Sequence, residues 1–253
     1  MPIHPVLVLF DLDGTLLTTE GAGRRAMSAA ASQLFGRDFT FDKVEFAGRL
    51  DPLIFSEAAS QNGLADAVIH SPEFLHQYLI ELRIELQRDG QAKSLPGIGA
   101  LLERLKRRQE ARGDILLGLL TGNFEAAAPL KLEAAGLDRH WFTITAFGNQ
   151  ASSRNALARL AIERFGCCIG ERPDPTRVVI VGDTPEDIRC ARSNGCFAFA
   201  VATGPFRPHD LQEADIVVRN LSDPEPLLTL INHCAGGLTA NAKVSRNIEG
   251  IKG

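Results

Sequence analysis

Short, wholly apolar runs alternate along this chain with longer stretches in which apolar residues recur every three or four positions. Residues 6–10, Val-Leu-Val-Leu-Phe, lie between Pro5 and the turn-forming pair Asp13-Gly14. The run is too short for a helix and lacks polar alternation, so it predicts a strand buried on both faces. The same reading covers 115–120, 142–147, 178–181, 197–201 and 216–218. Helical spacing covers 99–112, 124–135, 154–165, 185–193 and 225–231, several of them closing on glycine or turn residues. Strands alternating with helices predict right-handed crossovers and a Rossmann-like, doubly wound parallel α/β sheet with helices on both faces. Ligands of such sheets sit beyond the carboxyl ends of the strands, so chemistry is sought there.

One stretch breaks the alternation. Residues 19–91 carry helical patterns at 22–35, 52–62 and 72–88 and no strand pattern, which predicts a small helical cap inserted into the core just after its first strand. The core then comprises 1–18 and 92–235, with Pro96-Gly97 marking the return. From Gly236 the chain is rich in Gly, Asn and Lys and nearly free of large apolar residues, so 236–253 reads as a mobile tail. At 253 residues the chain is long enough for a core plus a smaller inserted unit.

Three of the predicted strand ends carry candidate chemistry. The first strand runs into Asp11-Leu12-Asp13-Gly14-Thr15. Carboxylates at i and i+2 leave the same side of an extended chain and repel unless a cation neutralises them or one keeps a proton. A turn in which Asp13 caps a helix is the plainer alternative. The 178–181 strand ends in Gly182-Asp183-Thr184-Pro185-Glu186-Asp187. Asp187 lies one helical turn beyond Asp183 and faces back to it; helix capping by Asp183 or Thr184 is compatible with that arrangement. The 115–120 strand ends in Thr121-Gly122-Asn123 ahead of a helix, a hydroxyl, a glycine and an amide where exposed N–H groups favour an anion.

Taken together these segments resemble the haloacid dehalogenase-like superfamily, in its helical-cap, phosphoglycolate phosphatase-like branch, over nearly the whole chain apart from the tail. The family's first motif looks like Phe10-Asp11-Leu12-Asp13-Gly14-Thr15-Leu16. The second is similar to Leu120-Thr121-Gly122-Asn123, and the fourth to Val181 through Asp187. The third, ordinarily a lysine opening a helix, departs: position favours Arg154 in Ser152-Ser153-Arg154-Asn155, with Lys131 the other candidate. Phe46-Ala47-Gly48-Arg49-Leu50-Asp51-Pro52 looks like the cap's substrate loop, where Gly48 and Arg49 would meet the substrate. A plain helix-helix turn capped by Asp51 explains the same residues.

The resemblance implies a Mg2+-dependent phosphatase acting on a small-molecule phosphate ester such as phosphoglycolate or a sugar phosphate. Asp11 would be the nucleophile, forming an aspartyl-phosphate, and Asp13 the general acid and base. Thr121, Gly122, Asn123 and Arg154 would hold the phosphoryl oxygens. Asp11, Asp183 and the Asp13 carbonyl would hold the metal, with Asp187 acting through water or on the surrounding shell. True dehalogenases need no acid at the second position, so Asp13 argues for phosphate chemistry. Phosphomutases of the β-phosphoglucomutase type carry a cap histidine where this chain has Gly23, which favours hydrolysis. A non-catalytic phosphate-binding protein is the remaining class, and retention of all four carboxylates argues against it.

Composition narrows the partners. A net charge of -4 supplies no general field for nucleic acid or an anionic membrane, and Lys106-Arg107-Arg108 reads as a solvated helix face. The cysteines Cys167, Cys168, Cys190, Cys196 and Cys234 are odd in number and lack metal-finger spacing, so reduced structural thiols are expected. The six histidines are scattered and read as structural or exposed. Gly21-Ala22-Gly23 is too far from a dinucleotide fingerprint to support one. No apolar run reaches a membrane span and no leader pattern opens the chain, so a soluble, cytoplasmic protein is expected.

Overall fold

In chain order the elements are β1 (Val6–Phe10), β2 (Leu17–Thr18), α1 (Ala22–Phe35), α2 (Asp51–Gln61), α3 (Ser71–Leu86), β3 (Lys93–Ser94), α4 (Ile98–Arg112), β4 (Ile115–Thr121), α5 (Ala128–Ala134), β5 (Ile144–Phe147), α6 (Arg154–Ile169), β6 (Val178–Gly182), α7 (Pro185–Ser193), β7 (Phe197–Val201), β8 (Ile216–Val218) and α8 (Glu225–Ala235). The computed structural model describes residues 4–36, 39–64, 71–88 and 92–236; the predicted tail from 237 onward lies outside them.

Six strands form one parallel sheet in the order β5-β4-β1-β6-β7-β8. Every residue of β1 is buried, as an all-apolar strand in a sheet covered on both faces requires. Alternate β1 residues feed two separate layers. Val6, Val8 and Phe10 pack with Leu101, Leu105 and Ile231 on one face, and Leu7 and Leu9 with Leu157, Phe165 and Ile188 on the other. The strand order reverses at β1, which has β4 on one side and β6 on the other. Phe10 pairs in register with Leu119 and with Val181. Asp11, Thr121 and Asp183 therefore leave the sheet at the same edge, at the crevice where such folds bind ligands.

The helices α1 to α3 enclose a third apolar cluster. Its centre is aromatic: Phe55 stacks on Phe74 with ring centroids 3.8 Å apart, and Phe74 lies along Tyr78. Phe124 and Ala127, from the stretch after β4, belong to the same cluster, so the cap rests on the core beside the second motif. The two chain crossings between cap and core are tied together where β2 and β3 pair antiparallel, Leu17 with Ser94 and Thr18 with Lys93.

Several predicted boundaries move: the helices expected to end at 165 and 231 run on to Ile169 and Ala235, and two other shifts have a local cause. The helix expected from 124 begins at Ala128, with Pro129 in its first turn, a position proline favours. The Phe124 N–H before it is committed to a side chain from the cap. The strand expected from 142 begins at Ile144, because 139–141 close a short 3-10 turn capped by Asp138. Lys106, Arg107 and Arg108 pair with Glu110, Glu103 and Asp114, so the basic run is internally neutralised. Cys190, Cys196 and Cys234 are buried, Cys167 and Cys168 exposed, and all five are free thiols. Burial pushes the three buried thiols up to about 12. Among the described residues no helix is long and apolar enough to cross a membrane.

Candidate active site

Asp11 continues β1, its N–H donating to the Val181 carbonyl at 2.9 Å. The chain then turns at Gly14, whose φ of +80° suits glycine and where a Cβ would stand 2.4 Å from Asp183 Oδ2. Thr15 Oγ1 donates to Asp183 Oδ1 at 3.1 Å. Thr203 Oγ1, from the loop after β7, donates to the Gly14 carbonyl at 2.6 Å. Asp183 follows β6, so two neighbouring strands deliver two buried carboxylates to one place.

Asp187 lies on the first turn of α7. Its Oδ2 accepts from the Thr184 N–H at 3.0 Å and from Thr184 Oγ1 at 2.7 Å, a reciprocal cap of the helix start. Its Oδ1 accepts from Arg154 Nη2 at 2.5 Å. Arg154 opens α6, whose first turn is capped by Ser153, and the same nitrogen is 3.1 Å from Asp11 Oδ1. Ligand atoms of Asp11, Asp183 and Asp187 all lie within 4.8 Å of one another, and all three residues are buried.

The electrostatics of this cluster are one-sided. Burial pushes the Asp11 carboxyl up to about 6; Arg154 opposes the shift and Asp187 adds to it. Burial, and then Asp11 and Asp187, raise Asp183 well above the usual carboxylate range. Burial alone would lower Arg154, but Asp187 and Asp11 more than reverse it, so the guanidinium stays charged. Three carboxylates thus share one cation. The residues fit a divalent metal: oxygen donors, clustered and buried, with excess negative charge and with Asp183 bonded, among the described residues, only through the Thr15 hydroxyl. Asp187 differs from the other two, because both its oxygens are already engaged.

The second predicted carboxylate is held apart from this cluster. Asp13 Oδ2 accepts from Lys131 Nζ at 2.6 Å and from Asn123 Nδ2 at 2.8 Å. Asn123 Nδ2 also reaches Thr121 Oγ1 at 3.0 Å. Of the two candidate cations, Arg154 therefore touches Asp11, while Lys131, reaching in from α5, touches Asp13. Asn123, expected to meet the substrate, uses its amide N–H to hold Asp13 and Thr121.

The cap loop closes over these residues. A Cβ on Gly122 would stand 2.0 Å from the Arg49 carbonyl, and the Asp51 N–H donates to the Gly122 carbonyl at 2.8 Å; only glycine permits that approach. Arg154 Nη1 reaches the Gly48 carbonyl at 3.5 Å. Arg49 is paired with Glu57 at 2.5 Å. Gly48 and Arg49 do line the same cavity as Asp11 and Asp13, a space of about 470 Å3 between cap and core. Asp51, which the sequence offers as a helix cap, instead accepts from the Phe124 N–H at 2.9 Å through Oδ2. Burial pushes it up to about 7, against the pull of Lys131 and that N–H.

Several contributors escaped the sequence reading. Thr203 and Gly204 follow a strand, and the rule that ligands gather at strand carboxyl ends would have pointed to them. Tyr78 gave no signal, because in a helical pattern it reads as one more core aromatic.

Comparison with known proteins supplies the lineage. A model of the haloacid dehalogenase-like hydrolase family matches residues 6–195. The chain is 29% identical over 204 residues to a phosphoglycolate phosphatase of Mesorhizobium japonicum, covering 78% of this chain and 83% of that protein. Its fold is similar to that of CbbY from Rhodobacter sphaeroides, solved in complex with phosphate, with a TM-score of 0.61 at 19% identity over 87% of this chain and 96% of that one. A hydrolase from Pseudomonas syringae is similar at a TM-score of 0.65 and 19% identity, over 90% and 99% of the two chains. With motif spacing, sheet order and a family match over most of its length in agreement, the chain belongs to the haloacid dehalogenase-like hydrolase family.

Proposed function

We propose that this chain is a Mg2+-dependent phosphatase that hydrolyses a small phosphomonoester through an aspartyl-phosphate on Asp11. The observation that carries the reading is the buried set Asp11, Asp183 and Asp187 within 4.8 Å, opposed by Arg154 alone among the described residues. Asp11, Asp183 and the Asp13 carbonyl would hold Mg2+, which would supply the positive charge that lets a carboxylate approach an anionic phosphoryl group. Asp187, engaged by Arg154 and Thr184, orients that shell rather than entering it directly.

Asp11 attacks phosphorus, and the ester oxygen leaves with a proton from Asp13. Asp13 then takes a proton from the water that hydrolyses the aspartyl-phosphate. Arg154, Thr121 and the backbone at Gly122 hold the phosphoryl oxygens as charge builds. The loop from Phe46 to Asp51 keeps bulk water out. The phosphoglycolate phosphatase relative supports a small phosphomonoester as substrate. Gly23 supports hydrolysis over phosphomutase chemistry, because no imidazole occupies the position and even a Cβ there would stand 3.3 Å from Lys131 Nζ.

The test is phosphate release from p-nitrophenyl phosphate and phosphoglycolate, with Mg2+ and with chelator. The expected outcome is release that chelator abolishes and Asp11→Asn reduces by at least about 10²-fold. Asp11→Asn working at the wild-type rate would remove Asp11 as nucleophile, and metal-independent release would remove the cation.

A further inference from the structure

Tyr78 on α3 is wholly buried, and its hydroxyl has no hydrogen-bond partner among the described residues. Its ring is fixed by Phe74 on one side and by Phe124, whose centroid lies 6.0 Å away, on the other. An unpaired buried hydroxyl is destabilising and rare, and it calls for an explanation such as an ordered water, an ion or a functional role. Tyr78 is among the residues that line the cavity holding Asp11 and Asp13. Gly23, which lines the same cavity, brings its backbone close to both groups: a Cβ there would lie 3.3 Å from Lys131 Nζ and 3.7 Å from Tyr78 Oη. A core helix and two cap helices thus leave a small space with a phenol donor at its wall, next to the carboxylate that serves the leaving group.

Charge selects what fits. Lys131 is already spent on Asp13 at 2.6 Å. The acidic groups that act on the Tyr78 hydroxyl are Asp51 and Asp13. A carboxylate placed here would be a third acidic group around one ammonium, whereas a neutral hydroxyl accepts from Tyr78 without adding charge. We infer that Tyr78 Oη, Gly23 and Lys131 form the subsite for a hydroxyl group of the leaving alcohol, so that the preferred substrates are hydroxylated phosphomonoesters. This rests on the phosphatase reading above and narrows it.

The test compares kcat/KM for glycerol phosphate, propyl phosphate and phosphoglycolate in the wild type, Tyr78→Phe and Gly23→Ala. Tyr78→Phe removes only an unpaired hydroxyl and Gly23→Ala adds a methyl group inside a helix, so each is expected to melt at or above the wild-type temperature. Wild type is expected to favour glycerol phosphate over propyl phosphate by roughly tenfold or more. Each variant is expected to collapse that ratio through a rise in KM for glycerol phosphate. A ratio that survives in Tyr78→Phe, a wild-type preference for phosphoglycolate, or equal losses on all three esters would overturn the inference. None of these outcomes touches the phosphatase reading, which fails separately if wild type releases no phosphate from any of the three.

Discussion

Arg154→Met tests the electrostatic account of the site without requiring any substrate. The side chain is 5% exposed, and its Nη2 bridges Asp187 at 2.5 Å and Asp11 at 3.1 Å. Methionine fills much of the same volume, so the change removes the charge and its hydrogen bonds more than the packing. Three buried carboxylates within 4.8 Å then face one another with no cation. Removing one partner of a buried ion pair costs 3–5 kcal/mol in general, and the lower end, about 3 kcal/mol, applies here because Asp183 already favours its protonated form. For a chain of this length that is a fall in melting temperature of roughly 6–12 °C. The assay is thermal melting with chelator at neutral pH, followed by a Mg2+ titration. The metal should raise the melting temperature of the variant more than that of the wild type, because it replaces the missing charge. Lowering the pH towards the Asp11 value of about 6 should narrow the gap, since protonation relieves the same repulsion. A variant that melts within about 1 °C of wild type in chelator would refute the idea that Arg154 balances the cluster.

Two further outcomes follow from the same geometry. The Asp51 pKa is raised from 3.8 to about 7, so its contribution to stability is full below its unfolded value and is lost as pH rises through about 7. Asp51→Asn should therefore match wild type near pH 4 and exceed it at pH 8 by roughly 2–4 kcal/mol, read from urea unfolding at the two pH values; a constant difference would sink the assignment. A Cβ on Gly204 would stand 1.7 Å from Asp183 Oδ2, so Gly204→Ala should displace that carboxylate. The Mg2+-dependent rise in melting temperature should then disappear with the fold intact, and unchanged metal stabilisation would count against Asp183 as a ligand.

Much of the fold could be read from residue pattern because it rests on short-range rules. All-apolar runs of five or so residues, bounded by turn formers, could only be buried strands, and the helices between them required parallel crossovers. The first, second and fourth motifs were legible for the same reason: each lies at the end of such a strand, and a parallel sheet sends all those ends to one edge. The sequence did not say which cation meets which carboxylate. Arg154 and Lys131 both read as cations in the sequence, and only the packing of α6 and α5 against the sheet sends one to Asp11 and the other to Asp13. Asp51 read as a helix cap, and it became a ligand of the Phe124 N–H only because the cap loop lies against Gly122. Tyr78 had the pattern of a core aromatic and met that expectation for its ring but not for its hydroxyl. Local periodicity thus determined the elements, the sheet and the three motif sites, since backbone geometry and burial act over a few residues. Pairings between residues about a hundred positions apart were decided by tertiary structure alone, because a charge or hydroxyl acquires its partner only when the chain has closed around it.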